Sequence, residues 1–394
     1  MNILMLAPEP FFQPRGTPIS VYFRLKALSG LGHRVTLITY PLGEDRSFPG
    51  LRLVRLPRLP GLRTVKIGPS LAKLPLDALL FLRAAAELMR RRYDLIFSHE
   101  EAGLPGVILG RLFGVPHLYD MHSSLPQQLD NFKVPGSSVL KGLFVMMEDF
   151  VLRYSRSVIV ICRDLERLVK AKGWGSKAVF LENFLDFESP CGSRTETARL
   201  RRELAPGGEK VILYAGNFQP YQGIALLLEA MARLKGKVVL ALVGATGPDK
   251  ERLQGRCREP GLAGRVVFVD RVAPGLVPLY VAAADVLVSP RLSGTNTPLK
   301  VYSFLKSGKP LVATRLWTHT QVLDEKTAVL VEPTARGLAE GLSFAVRTEE
   351  ARRRARAAKA RAGRDYTEAA YAGRIRRALE LAVGRTSADA SRRG

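Results

Sequence analysis

Apolar and polar positions alternate along this chain in two rhythms. Short apolar runs, the pattern of strands buried on both faces, recur at 2–7, 51–56, 93–98, 115–119, 157–161 and 178–181, and residues 32–39 supply a turn and a further strand after the first. Stretches with helical spacing separate them. A polar segment at 188–209, carrying Pro190, Pro206, Gly207 and Gly208, interrupts the series and reads as a linker. The alternation then restarts at 211–215, 238–243, 266–269, 285–289, 311–314 and 328–331. Strands spaced by helices imply βαβ units, so the pattern predicts an α/β protein with two mainly parallel sheets in succession.

Two helix starts look alike. Thr17-Pro18 and Thr297-Pro298 each place an N-cap residue before a proline suited to the first helical position, and Gly308 suits the far end of the second helix. The second start follows the strand at 285–289 through Ser293-Gly-Thr-Asn-Thr297. The amides of Gly294, Thr295, Asn296 and Thr297 are therefore expected at a helix mouth, where anions bind, with Lys300 adding a full charge. The plainer reading is a capped βα connection that binds nothing.

At 394 residues the chain is long enough for two domains. Sixty Lys and Arg against 36 Asp and Glu give a net charge of +24, which calls for anionic partners. Nucleic acid is not expected, because no recognition motif appears and aromatics do not interleave the basic runs. Basic and apolar residues do mix between Arg52 and Arg92, including Arg55, Arg58, Arg63, Lys66, Lys73 and Arg90-Arg-Arg92, which suits an anionic membrane surface. Cys162, Cys191 and Cys257 have neither disulfide nor zinc spacing, which fits a reducing compartment. The stretch from Leu74 to Met89 comes nearest to a membrane span, but Asp77 and Arg83 interrupt it. A cytoplasmic protein, peripheral on the membrane at most, is expected.

Several short motifs now fall into order: Gly16 before a helix ending Leu-Gly-His33-Arg-Val-Thr; Tyr119-Asp-Met-His122; Asn183 and Asp186 in Leu-Glu-Asn-Phe-Leu-Asp; Tyr214-Ala-Gly-Asn217; Gln222-Gly223; Ala284-Asp-Val-Leu-Val-Ser-Pro290; and Ser307-Gly-Lys-Pro310. With these marks, over nearly its whole length, the chain resembles the nucleotide-sugar-dependent glycosyltransferases of family 4. The resemblance implies the GT-B fold, two Rossmann-like domains facing each other across a cleft, and transfer with retention at the anomeric carbon. It implies an acceptor domain at 1–187, a linker at 188–209, a donor domain at 210–363, a helix at 364–385 crossing back to the first domain, and a tail at 386–394. It also implies a nucleoside-diphosphate sugar as donor and a glycan or lipid-linked acceptor, as in cell-envelope polysaccharide and glycolipid synthesis in bacteria.

The chain departs from the family where acids are usual: two glutamates with seven residues between them become Thr295 and Ser303. Asn217 and Gln222 stand where an Arg and a Lys commonly hold the donor diphosphate. All four side chains still hydrogen-bond hydroxyls or phosphate oxygens. Donor contacts are thus expected from Gly16, Gly216, Asn217, Gln222, Gly294 to Thr297 and Ser303. His122 and Lys300 are expected to act on the reaction itself. His99 and Glu100 either orient the acceptor hydroxyl or belong to the core. No Asp-X-Asp pair is present, so neither metal nor other cofactor is expected, and protein groups must neutralise the leaving phosphate. His33 and His319 read as structural, and Glu148 and Asp149 as a solvated helix face. A sugar-nucleotide sensor without activity and a nucleotide-sugar epimerase are the competing readings.

Overall fold

The computed structural model describes residues 1–13, 16–58, 73–126, 137–182 and 192–384. Asn183, Asp186, Cys191, Arg63, Lys66 and the tail from 386 lie outside them. The chain divides into two compact units, Met1–Asn183 with Glu368–Gly394, and Phe184–Thr367.

In the first unit β1 (Asn2–Ala7), β2 (Arg34–Thr39), β3 (Leu51–Arg55), β4 (Leu95–His99), β5 (His117–Met121), β6 (Ser157–Val160) and β7 (Ala178–Phe180) form one parallel sheet in the order β3-β2-β1-β4-β5-β6-β7. Every strand pairing is parallel, from Ile3 on Val35 to Val160 on Phe180. The strands read as unbroken apolar runs because helices cover both faces. Leu4, Leu6 and Ile96 pack with Leu76, Leu80 and Ala84 of the helix Leu74–Arg90, while Tyr119, Met121 and Val158 pack with Val151 and Leu152.

The second unit holds β8 (Lys210–Ala215), β9 (Val238–Ala245), β10 (Val266–Asp270), β11 (Val286–Ser289), β12 (Leu311–Thr314) and β13 (Val329–Val331), again parallel, in the order β10-β9-β8-β11-β12-β13. Ile212, Leu240, Leu242, Val286 and Val312 pack there against Leu227, Leu228, Leu338 and Leu342. In both sheets the order reverses beside the first strand, and ligands of open α/β sheets bind beyond the strand carboxyl ends at such a switch.

Three local expectations change. The polar stretch expected as a linker contains the helix Arg194–Leu204, because Ser193 and Glu196 form a reciprocal capping box at its start. The helix Glu349–Asp365 runs through Arg364, so the last helix begins later, at Glu368, and ends at Val383. Thr17 does not cap, since its helix already starts at Gly16 and its hydroxyl instead donates to Glu100 Oε1 at 3.0 Å.

Candidate functional site

At the carboxyl end of the first sheet, the ends of β4 and β5 bring His99, Asp120 and His122 together. His99 Nδ1 lies 3.2 Å and His122 Nε2 3.3 Å from Asp120 Oδ2. Arg24 donates from Nε to the same oxygen at 2.9 Å, and its Nη1 donates to the Tyr371 hydroxyl of the last helix. Arg24 and Asp120 are both fully buried. Burial alone would raise the Asp120 carboxyl, but Arg24 and the two histidines hold it well below the usual range. Burial pushes the His99 imidazole down. The trio offers ligand atoms within 4.8 Å of one another, a spacing a metal could use. Asp120 is already neutralised by Arg24, however, and a dication there would sit beside a buried guanidinium. The set fits an ion pair that holds two imidazoles.

Next to it stands a group of acids. Glu100 follows β4 with φ of 47°, an uncommon backbone state for a residue with a Cβ. Glu101 pairs with Lys73 at 3.3 Å. Glu9, after β1, is buried, and its Oε1 has no hydrogen-bond partner among the described residues. Burial, then Glu100 and Glu101, push the Glu9 carboxyl well up, and burial raises Glu100 also. Tyr40 donates to Asp77 at 2.5 Å, and burial lifts Asp77 to about 6.

The second sheet's carboxyl end is built of cations. Lys300 Nζ lies 3.7 Å above the Tyr214 ring and has no hydrogen-bond partner among the described residues. Burial, then Arg291, hold its ammonium well below the ordinary lysine range. Gly216, with φ of 151°, makes room: a Cβ there would stand 3.0 Å from Tyr214 Oη and 3.3 Å from Lys300 Nζ. The Tyr214 hydroxyl donates to the Asn217 carbonyl at 2.6 Å, which fixes the loop after β8. Gln222 is buried in that loop, and its Oε1 has no hydrogen-bond partner among the described residues. A Cβ on Gly223 would fall 2.0 Å from the Pro290 carbonyl, so this loop lies tight against the segment after β11.

That segment carries Arg291, a cation that sequence reasoning missed. Its guanidinium lies 5.1 Å from the Tyr221 ring centroid and donates to the Asn296 carbonyl at 2.8 Å and the Thr318 hydroxyl at 3.0 Å. Gly294, with φ of 121°, lets it pass, since a Cβ there would meet the guanidinium at 2.9 Å. The one available signal was its position, directly after the strand-ending Ser289-Pro290.

The expected helix mouth is not at Thr297. The helix spans Lys300–Ser307, with Leu299 as N-cap. Thr318 donates to the Asn296 carbonyl at 2.6 Å and Gln321 to the Thr295 carbonyl at 2.5 Å, so downstream side chains hold both carbonyls and the loop stays open until Pro298. Pro298 itself keeps Thr297 out of helical conformation. Lys300 is thus the first helical residue rather than one turn in, and Ser303 lies half-buried inside the helix. Gly308 ends it in left-handed conformation, as its place in the pattern suggests.

Two further side chains have structural posts. His319 bridges Ser289 at 2.8 Å and the Thr314 carbonyl at 2.8 Å, and burial lowers it to about 4, so it is a neutral brace. Glu148 is buried rather than solvated: it accepts the Leu125 amide at 3.1 Å and meets Lys172 at 3.4 Å, holding the segment after His122. Asp149 stays half exposed on Lys172.

Residues 23–183 match the model of the glycosyl transferase 4-like domain, and residues 209–347 that of glycosyl transferases group 1. Phosphatidyl-myo-inositol mannosyltransferase of Mycobacterium leprae is 24% identical over 96% of each chain. The GDP-mannose-dependent alpha-(1-6)-phosphatidylinositol monomannoside mannosyltransferase of Mycolicibacterium smegmatis is 30% identical over 61% of this chain and 62% of its own. Among solved structures, Anabaena HepE in complex with UDP superposes with a TM-score of 0.75 at 20% identity, covering 96% of this chain and 100% of that one. Two parallel α/β units of this build make up the GT-B fold. Between them the two family models take in most of the sequence, and the chain belongs to the family 4 type of glycosyl transferases.

Proposed function

We propose that this transferase moves a hexose-type sugar from a nucleoside-diphosphate sugar to a glycan or lipid-linked acceptor, with retention and without a metal. The observation that carries the reading is the buried Lys300 ammonium, unpaired among the described residues, beside Arg291 and the Cβ-free backbone of Gly216. Desolvating an ammonium without a counter-ion is costly, and an arriving diphosphate removes that cost. Breaking the sugar–phosphate bond builds charge on the leaving diphosphate, and two fixed cations stabilise it where it forms. The backbone and side chains of Gly216, Asn217, Gln222 and Gly294 to Thr297 would add neutral hydrogen bonds. With no carboxylate nucleophile assigned, the acceptor attacks the face the diphosphate leaves, and a phosphate oxygen takes its proton. His122, steadied by Asp120, would hydrogen-bond the donor sugar.

A thermal-shift panel of nucleoside diphosphates and their sugars tests this. A true ligand raises the melting temperature by mass action, and the strongest one names the donor. No shift with any of them would refute the reading.

For the acceptor, a lipid surface has support from the first unit. Most large apolar side chains that stay exposed among the described residues, including Leu82, Met89, Leu112 and Met146, lie on the neighbouring helices Leu74–Arg90, Gly103–Phe113 and Ser137–Tyr154. Exposed Arg90, Arg91, Arg111 and Lys141 accompany them. Apolar groups among basic ones suit acidic headgroups. Of the basic residues first considered, Arg55 and Lys73 are already engaged, with Asp45 and Glu101. No helix among the described residues is long and apolar enough to cross a membrane. Flotation with vesicles containing acidic lipid should recover the protein, and equal recovery with neutral vesicles would remove this partner.

A further inference from the structure

The acids at the first sheet's edge can be matched against the cations within reach. Arg24 is taken by Asp120 at 2.9 Å and Lys73 by Glu101 at 3.3 Å. Glu9 and Glu100 are left with no cation partner among the described residues. Glu100 has the Thr17 hydroxyl, but Glu9 Oε1 has no hydrogen bond among the described residues, although Glu9 is only 8% exposed. A buried polar atom without a partner is rare in a folded protein and calls for an explanation. The strand order places both residues at the carboxyl ends of adjacent β1 and β4, where an open α/β sheet receives its ligand.

Resting on the reading of the first unit as the acceptor-binding unit, we propose that Glu9 and Glu100 read hydroxyl or ammonium groups on the acceptor ring and turn away a ring phosphorylated at that position. Each carboxyl both accepts from and, while protonated, donates to a sugar or cyclitol hydroxyl. Burial and their acidic neighbours favour that protonated form. An ammonium suits the same place once the carboxyl has released its proton to solvent. A phosphate brings negative charge beside Glu101 and Asp120, whose Lys73 and Arg24 are occupied, and His122, the remaining described group there that carries positive charge, already lies 3.3 Å from Asp120.

The test uses the full chain, with binding of small rings measured by calorimetry with and without the nucleoside diphosphate that stabilises it most. The probes are myo-inositol, methyl α-mannoside and 2-deoxystreptamine, against myo-inositol 1-phosphate and mannose 6-phosphate. At least one unphosphorylated ring should bind, at least tenfold tighter than its phosphorylated counterpart. Glu9→Lys should cut that preference at least tenfold while leaving nucleoside diphosphate binding as it was. Should Glu9→Lys fail to fold, the double variant Glu9→Gln, Glu100→Gln should cut it at least threefold. Equal or tighter binding of the phosphorylated ring, no binding of any unphosphorylated ring, or an unchanged preference in the variants overturns the proposal. Loss of nucleoside diphosphate binding in the native chain would instead count against the donor reading, since the rings are also measured without it.

Discussion

The two sheets end in the same topological place with opposite electrostatics. At the carboxyl edge of the first, Glu9, Glu100, Glu101 and Asp120 gather around two cations that are both paired. At the edge of the second, Lys300 and Arg291 stand among the aromatic rings of Tyr214 and Tyr221. On the proposed reading, one fold module offers acids to hydroxyls and the other offers cations to a pyrophosphate. Strand ends provide the position in both, while the few side chains after each strand decide the chemistry.

The contrast can be broken first on the acidic side. Asp120→Ala strands the fully buried Arg24, and such a loss costs about 3–5 kcal/mol. Denaturant unfolding should show it, and a cost below about 1 kcal/mol would mean that the pair does not hold the edge together. On the cationic side, Lys300→Ala should lower turnover by about 10²–10³-fold, the usual loss when one stabilising donor at a leaving group is removed. Its melting temperature should stay at or above the native value, because a buried unpaired ammonium is removed. Full turnover in that variant would move the diphosphate elsewhere.

Smaller effects sharpen the picture. Gly216→Ala puts a Cβ 3.3 Å from Lys300 Nζ on a backbone that disfavours it, and about 1–3 kcal/mol of strain follows. Nucleoside diphosphate affinity should fall with it, and an unchanged affinity would separate Gly216 from the Lys300 site. Smallest is the linked proton. Burial and Arg291 depress free Lys300, whereas a bound diphosphate raises it, so binding should take up at most about one proton at a pH above the depressed value. Affinity should then decline as pH rises through the interval between the two values. Calorimetry in buffers of different ionisation heat checks this, and no uptake at any pH contradicts it.

The strands were legible because parallel strands covered on both faces are unbroken apolar runs, as at Val286–Ser289 and Leu311–Thr314. Gly308 was legible because a left-handed helix end has few alternatives to glycine. The start of that helix was not, since what holds the loop open before Pro298 is Thr318 and Gln321, more than twenty residues downstream. Arg291 was hidden among 60 basic residues, and only its packing on Tyr221 and Gly294 distinguishes it. Glu9 gave no local sign either. Its burial and missing partner arise from β1 lying beside β4, a pairing of residues some ninety positions apart. Likewise the tie from Arg24 to Tyr371 joins the two ends of the chain, and no local pattern announces it.

The central claim is that the second sheet's edge recognises a diphosphate through Lys300 and Arg291. It is met most directly by titrating the preferred nucleoside and its diphosphate into the native chain and into Lys300→Ala, Arg291→Gln. The native chain should bind the diphosphate at least a hundredfold tighter, about 2.7 kcal/mol, and the double variant should bind both alike. A double variant that keeps the hundredfold preference would contradict the account.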